Sequence, residues 1–201
     1  MDVVASPPAM KLLDGSAGEL VELVDEGNVH TGELVPRSVA HAQGLLHRTV
    51  YVLLTDAAGE QVVLQQRHSQ KAVCPSLWDL TVAEHVAPGE SYHEAACRGI
   101  REELGVMNLP ELRELLPPTR RELRWTTASG KRIHDVEFVP VWTGVLAHDA
   151  ELHPDGVEVA AWRWTPWIEV IREAASLPSS FTPWFLETLR LLGKLPQEDR
   201  A

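Results

Sequence analysis

Apolar and polar residues alternate along the chain in a pattern that predicts short strands interleaved with a few helices. Runs of β-branched and apolar residues predict strands from residue 19 and at 47–55, 60–67, 121–126, 133–146 and 157–165. Turn signals at 25–28, 56–59 and 128–130 separate several of these strands, and residues 68–78 have no regular period and predict a loop. The pattern is typical of a mixed β-sheet.

Three segments predict helices. Ser91 and Glu94 fit a capping box and Gly105 is a natural residue to follow a helix, so we expect a helix over 92–104. Two more amphipathic helices are expected at about 167–176 and 183–193, where Pro166 and Pro183 stand at the first turn. Together the elements predict an α+β fold, an α/β/α sandwich around a mixed β-sheet.

Composition narrows the class of protein. The 201 residues are 44% hydrophobic and 23% charged, ordinary values for a globular chain, and we expect one domain over 18–195, a flexible N-terminus over 1–17 and a tail over 196–201. No apolar run approaches the roughly 18 residues of a membrane span, and the first residues lack the features of a signal peptide. We therefore expect a cytoplasmic protein without a membrane partner.

Charge and cysteine content exclude further classes. The net charge of −11 disfavours nucleic acid as a partner, because a duplex-binding surface is basic. Cys74 and Cys97, the two cysteines, make neither a disulfide framework nor a four-thiolate metal site. A small phosphate ligand would need a metal ion or a few local cations to bind so acidic a chain. The sequence leaves the oligomeric state open, with a homodimer as one option.

Residues 84–106 carry the densest cluster of candidate chemistry. A turn places Glu90 beside the start of the predicted helix, and Arg98 and Glu102, four residues apart, share one face of it. Glu102 and Glu103 stand at the end of that helix, where the helix dipole is already negative, which favours a bound cation. Mg²⁺ takes oxygen ligands and bridges to phosphate oxygens. The alternative interpretation is a solvated acidic face.

The same segment resembles the Nudix box, a motif with fixed glutamate, arginine, glycine and apolar positions. The residues that fall in register with it are Glu90, Arg98, Ile100, Glu102, Glu103, Gly105 and Val106. The resemblance implies the Nudix fold and a divalent cofactor, Mg²⁺ or Mn²⁺, held by Glu90, Glu102 and Glu103. It also implies that Arg98 braces the preceding loop through Glu90.

Two positions depart from the box. Glu84 stands where the box opens with glycine, and Gly99 stands where a metal-binding glutamate follows the arginine. The missing glutamate argues against ordinary hydrolysis. Because the opening loop approaches the metal site in this family, our hypothesis is that Glu84 restores the lost carboxylate. The alternative is that Glu84 points to solvent.

Several separated stretches also resemble isopentenyl-diphosphate isomerase and its hydrolase relatives, one branch of the Nudix family. They are residues 41–48, 64–67, 75–78, 135–137 and 181–184, together with His85. The resemblance implies a second, His-rich divalent metal site formed by His41, His47, His85, Asp135 and Glu137. Imidazoles with carboxylates suit Mn²⁺, Fe²⁺ or Zn²⁺ better than Mg²⁺. Glu137, which points away from its apolar neighbours on a strand, is the acid/base candidate, with Glu102 and Glu103 as catalytic candidates on the helix.

The branch resemblance also implies substrate contacts. Arg67 and Lys71 match residues that hold the substrate diphosphate, and Arg48 is a further candidate. Trp125 and Trp164 match the positions of aromatic rings that face an allylic cation.

One residue that isomerisation requires is missing. Ala83 stands two residues before His85, where the isomerases carry the cysteine that donates and accepts a proton at carbon. Proton transfer to an alkene needs a positioned acid, so we expect isomerase activity to be lost or very weak.

Three functions stay open at this point. The first and preferred one is a metal-dependent Nudix hydrolase of a small-molecule diphosphate, either a nucleoside or an isoprenyl diphosphate. In it Glu90, Glu102, Glu103 and Glu84 hold the metal and Glu137 acts as base. The second is an isomerase-like enzyme that acts on isopentenyl diphosphate. The third is a catalytically weakened Nudix module that binds a ligand without turnover.

Overall fold

The structure is a computed structural model that describes residues 18–127, 129–153 and 156–197. The strands are β1 (Leu20–Val24), β2 (His30–Pro36), β3 (Leu46–Thr55), β4 (Gln61–Arg67), β5 (Trp78–Asp79), β6 (Val82–His85), β7 (Arg113–Thr126), β8 (Arg132–Val145) and β9 (Val159–Pro166). The helices are α1 (Arg37–Gln43), α2 (Tyr92–Leu104), α3 (Trp167–Ser176) and α4 (Pro183–Leu191). The predicted flexible N-terminus at 1–17 and most of the predicted tail lie outside the described residues.

A seven-stranded mixed sheet organises the molecule, and β1 and β2 form a separate two-stranded sheet. The central strand β3 pairs parallel with β8 and antiparallel with β6. β4 meets β3 at Thr55 and Val62, next to their turn, and pairs along its length with β9. β3 and β4 therefore diverge away from the turn, and residues of both strands line the cavity described below.

Two apolar cores lie on the two faces of this sheet. One packs α2 against residues such as Val50 and Val52 of β3. The other packs α3 and α4 against Tyr51 and Leu53. Neighbouring residues of β3 serve opposite cores because side chains alternate along a strand. With helices on both faces, the molecule is an α/β/α sandwich, which confirms the predicted fold class.

The predicted helices form for the local reasons read from the sequence. The Ser91 hydroxyl accepts a hydrogen bond from the Glu94 amide, and the Glu94 carboxylate accepts one from the Ser91 amide, so the capping box at the start of α2 is complete. Gly105 ends the helix in the left-handed region, with φ of 68°. Pro183 is the first residue of α4, and the hydroxyl of the preceding residue, Thr182, caps the helix.

The sequence pattern does not predict β2 or α1 and predicts only part of β7. β2 is largely exposed and α1 buries only Ala40, so neither shows an apolar period. The sequence pattern predicts a strand at 121–126, but in the structure this strand begins at Arg113. Two prolines suggest a break in the strand. They lie at a register shift between Leu116 and Thr119, so the strand continues past them. In the described part of the chain, no helix is long and apolar enough to cross a membrane.

Candidate functional site

A cavity of about 570 Å³ lies where β3 and β4 diverge. Most of the predicted site residues line it: His41, Arg67, Lys71, Glu84, His85, Arg98, Glu102, Glu103, Asp135 and Glu137. His47 is fully buried at its edge, within 3.6 Å of both Asp135 and Glu137. The fold thus brings together residues that are far apart in the sequence.

Strand register creates a cluster of imidazoles and carboxylates at one end of the cavity. His47 on β3 lies opposite Glu137 on the parallel strand β8, and Thr49, two residues on, lies opposite His85 on β6. Residues two apart on a strand share a face, so all these side chains point the same way. His85 Nε2 and His47 Nε2 lie 3.4 and 3.6 Å from Glu137 Oε1.

His41 joins the cluster from a different element. It stands in the last turn of α1, and Gly44 ends that helix in the left-handed region with φ of 68°. The chain then enters β3, which brings the His41 and His47 rings to 5.2 Å between centroids. His41 Nε2 lies 3.2 Å from His85 Nε2 and 3.5 Å from Asp135 Oδ1. One ligand atom from each of His41, His47, His85 and Glu137 lies within 4.8 Å of the others.

The electrostatics of this cluster suit a transition-metal ion. His47 Nδ1 donates to the Leu45 carbonyl at 2.9 Å, which leaves Nε2 as an acceptor facing the cluster. Among the described residues, neither His47 Nε2 nor Asp135 Oδ1 has a hydrogen-bond partner. Burial lowers the pKa of His41 to about 2 and that of His85 well below its ordinary value, so these two imidazoles are neutral donors. The chemistry of the donor set therefore fits a bound divalent ion.

Glu137 is placed to handle protons. It is buried, and the Thr49 hydroxyl donates a hydrogen bond to Oε1. It lines the cavity together with Tyr51 and Ala83. A carboxylate held by a hydroxyl and facing both imidazoles and a cavity can serve as a ligand or a base.

A second group of acidic side chains lies along the cavity wall beside α2. Glu84 is 14% exposed and packs over Gly99, and Glu103 is 4% exposed with no hydrogen-bond partner for Oε1 among the described residues. Burial raises the pKa of Glu84 to about 7, against the lowering effect of Arg98. Burial, reinforced by the Glu84 charge, raises the pKa of Glu103 well above its ordinary value. The Glu84 side chain therefore lies in the cavity wall and does not point to solvent as the alternative interpretation expected.

Arg98 braces the loop before α2. Its guanidinium donates to both Glu90 oxygens, at 3.0 and 2.9 Å, and to the His85 carbonyl at 2.7 Å. The Ala87 amide also donates to Glu90. These hydrogen bonds outweigh burial and hold the pKa of Glu90 below its ordinary value. Both Glu90 oxygens are engaged in these hydrogen bonds, and Glu90 is not among the described residues that line the cavity; its role as a metal ligand stays a prediction.

The cationic residues of the cavity are held by partners on the protein. Arg67 donates to the Val73 carbonyl and lies 3.4 Å from Asp79 Oδ2 and over the Trp184 ring. Lys71 Nζ lies 3.0 Å from Glu158. Glu102 is the more exposed of the two helix carboxylates and lies 3.5 Å from Arg98.

Three predicted substrate contacts lie elsewhere. Arg48 binds Asn28 and His30 and covers the Tyr92 ring, outside the cavity lining. Trp164 stacks on His148, 4.9 Å between centroids, against the core beneath α2. Trp125 is half-buried and is likewise absent from the described lining residues.

Sequence reasoning missed several residues that line the cavity, among them Trp184, Arg37 and Glu19. Trp184 forms an aromatic wall and donates from Nε1 to Asp79 at 2.8 Å. Arg37 NH1 lies 3.3 Å from His85 Nδ1 and 2.8 Å from a Glu19 oxygen. The resemblance in residues 181–184 pointed toward Trp184, whereas no motif marks Glu19 or Arg37.

None of the described residues that line the cavity carries a thiol. Ala83 lines it at the expected position, directly opposite Tyr51 across the β3–β6 pair. Cys74 and Cys97 are the chain's two cysteines, and neither is among the described residues that line the cavity.

Comparison with known proteins identifies the family. The profile of the NUDIX domain matches residues 45–185. The isopentenyl-diphosphate Delta-isomerase of Nocardia farcinica is 41% identical over 173 residues, which cover 85% of this chain and 93% of the relative. The protein of the same name from Mycolicibacterium vanbaalenii is 35% identical over 174 residues, covering 87% and 91%.

Solved structures agree on the fold. DR0079 of Deinococcus radiodurans superposes with a TM-score of 0.66 at 22% identity, covering 86% of this chain and 98% of that one. The MutT protein of Methanosarcina mazei Go1 gives a TM-score of 0.55 at 19% identity, covering 74% and 94%. The chain belongs to the Nudix family, in the branch that its isopentenyl-diphosphate Delta-isomerase relatives occupy.

Proposed function

We propose that the protein is a divalent-metal-dependent hydrolase of a small-molecule diphosphate. One observation carries the proposal: a single cavity joins an imidazole–carboxylate cluster to the cations Arg67 and Lys71, and none of its described lining residues is a cysteine. Metal and cations suit a diphosphate, and the missing thiol removes the acid that carbon protonation needs.

Different residues of the cavity would bind the ion and accept the proton. His41, His47 and His85 would hold the ion, with Glu137 completing the set through one oxygen. A bound divalent ion polarises phosphate oxygens and lowers the pKa of a coordinated water. Glu137, which Thr49 orients, takes up the proton that the attacking water releases.

The rest of the cavity defines the class of substrate. Beyond the imidazole cluster, one part of the cavity wall is apolar and aromatic and is formed by Tyr51, Leu123, Ile133, Val157 and Trp184. Such a wall suits the apolar or planar part of a small diphosphate, an isoprenyl chain or a nucleobase. The diphosphate itself lies nearer Lys71 and Arg67.

A second candidate is isomerisation of isopentenyl diphosphate. The observation that favours it is 41% identity to a protein named isopentenyl-diphosphate Delta-isomerase, 93% of which this chain covers. Ala83 opposes it, since none of the described lining residues offers a thiol to work with Glu137.

Product analysis tests both candidates. The full chain is incubated with nucleoside diphosphates and triphosphates, ADP-ribose, and isopentenyl, dimethylallyl and geranyl diphosphates, with Mg²⁺ or Mn²⁺. We expect phosphate release from at least one compound, a loss of about 100-fold or more in Glu137→Gln, and no change in the surface variant Glu169→Gln on α3. Formation of the allylic isomer without phosphate release would replace the hydrolase with the isomerase. Neither product from any compound would reject both in favour of a binding module.

A further inference from the structure

Asp79 is a buried carboxylate that the proposed reaction does not use. It lies on β5, is 0% exposed, and is not among the described residues that line the cavity. Taking a carboxylate out of water is costly unless cations or hydrogen-bond donors replace the water. Burial accordingly raises the pKa of Asp79, and the donors around it act in the opposite direction. The place of this carboxylate in the fold therefore depends on the groups that it binds.

Donors from β4, from the residue after β5 and from the start of α4 converge on Asp79. Its Oδ1 accepts hydrogen bonds at 2.8 Å from the Leu80 amide, the Thr182 hydroxyl and Trp184 Nε1. Its Oδ2 lies 3.0 Å from Trp184 Nε1 and 3.4 Å from Arg67 NH1. Asp79 thus connects the end of β4 to the first turn of α4.

Arg67 and Trp184 both line the cavity, and this arrangement holds them against each other. The Arg67 guanidinium lies over the Trp184 ring, 5.0 Å from its centroid, and donates through Nε and NH2 to the Val73 carbonyl. With these bonds and the one to Asp79, each terminal nitrogen of Arg67 keeps one N–H that no described residue accepts. Such N–H groups suit phosphate oxygens. Because Asp79 takes the indole N–H, Trp184 offers a ligand only apolar ring surface.

We propose that Asp79 is a positioning residue that holds Arg67 and Trp184 as one unit for the two ends of the same ligand. Arg67 meets the phosphate oxygens, and the Trp184 ring packs against the apolar or planar part. Side chains that are fixed before binding lose less conformational entropy when the ligand arrives, so the carboxylate raises affinity without touching the ligand. That the ligand is a diphosphate rests on the proposed function, whereas the coupling of Asp79 to the two side chains does not.

The indole N–H of Trp184 tests the coupling without a ligand. Nuclear magnetic resonance of isotope-labelled tryptophan resolves the indole signals, and Trp184→Phe assigns the one that matters. Asp79→Asn keeps the shape of the side chain and removes its charge, and a neutral amide is a weaker acceptor than a carboxylate. We expect the Trp184 signal to move upfield and its exchange with water to become about tenfold faster or more. Asp149→Asn, exposed in the loop after β8, is the matched control and is expected to leave the signal unchanged.

Inorganic pyrophosphate tests the effect on binding without turnover. Isothermal titration calorimetry measures its affinity for the full chain, with the same divalent ions as in the activity assay. We expect Asp79→Asn and Arg67→Gln each to weaken binding about tenfold. In the double variant we expect a loss within about twofold of that in Arg67→Gln alone, because Asp79 acts through the guanidinium. A purely structural role predicts independent losses that multiply to about a hundredfold.

Three results would overturn the inference: an unchanged Trp184 signal or pyrophosphate affinity in folded Asp79→Asn, losses that multiply in the double variant, or a wild-type chain that binds no pyrophosphate. Circular dichroism shows whether each variant folds. If Asp79→Asn does not, Thr182→Val replaces it under the same criteria, since it removes one donor to Asp79 from outside the described cavity lining. Coupled losses in a chain that releases no phosphate would retain the positioning role and reject only the hydrolase.

Discussion

The two cysteines show how the environment of a single residue decides its reactivity. Cys74 is fully buried in the loop beside Arg67 and Asp79, and burial raises the pKa of its thiol to about 12, against the lowering effect of Arg67. Cys97 is partly exposed on α2, with Sγ 3.9 Å from His93 Nδ1. Only a thiolate attacks an alkylating reagent, and a thiol stays protonated below its pKa.

We therefore expect iodoacetamide at pH 8 to label Cys97 in the native protein and to leave Cys74 unmodified. Peptide mass spectrometry after a timed reaction measures both sites. Labelling in denaturant is the control, since both thiols are then exposed and are expected to react. Comparable labelling of Cys74 and Cys97 in the native chain would show that the loop around Cys74 opens readily.

At the scale of single residues, motif spacing predicted those contacts of the site that join residues close to each other in the sequence. The Arg98–Glu90 brace follows from residues eight apart on one turn and one helix. Trp164 and Trp184 show the limit: both are aromatic and near the C-terminus, but only tertiary packing decides that Trp184 faces the cavity and Trp164 the core. Glu19 and Arg37 had no local signal because their placement depends on how the two-stranded sheet docks.

Helix α2 is the element that positions the acidic side chains along one wall of the cavity. It carries Gly99, Glu102 and Glu103, and its first turn is fixed by Ser91, whose hydroxyl accepts from the Glu94 amide at 3.2 Å. Without that hydroxyl, an amide at the start of the helix loses its partner.

Ser91→Ala is expected to lower the free energy of unfolding by about 1 kcal/mol. Urea denaturation followed by circular dichroism measures the change. Ser176→Ala, at the last residue of α3, is the matched control and is expected to change the free energy by less than about 0.5 kcal/mol. Equal losses in the two variants would mean that the capping box does not stabilise α2.

Elements with local signals were predictable and those without were not. Caps, periods and turn residues sufficed for α2, α3, α4 and the hairpin of β3 and β4. The parallel pairing of β3 with β8, which sets His47 opposite Glu137, joins segments that are distant in the sequence and leave no periodic trace. The cluster was thus predictable as a set of residues from the family resemblance, but not as an arrangement from the pattern alone.

On the scale of the whole molecule, the cavity carries several of the unmet bonding requirements found in the described residues. Among the described residues, His47 Nε2, Asp135 Oδ1 and Glu103 Oε1 are buried without hydrogen-bond partners, and all three belong to residues at the cavity. Each such group destabilises the folded chain relative to the unfolded one, in which water satisfies it. An ion that binds only the folded chain removes that cost.

Mn²⁺ is therefore expected to stabilise the protein against heat. At a free concentration of about 100 times Kd, one bound ion adds roughly 2.7 kcal/mol, which in a domain of this size raises Tm by roughly 5–10 °C. Differential scanning calorimetry with Mn²⁺, with excess chelator, and with NaCl of matched ionic strength separates this effect from salt screening. His47→Gln is expected to lose most of the rise, because it removes a fully buried donor from the imidazole cluster. An identical Tm with Mn²⁺ and with chelator would show that neither carboxylates nor imidazoles hold an ion in the folded protein.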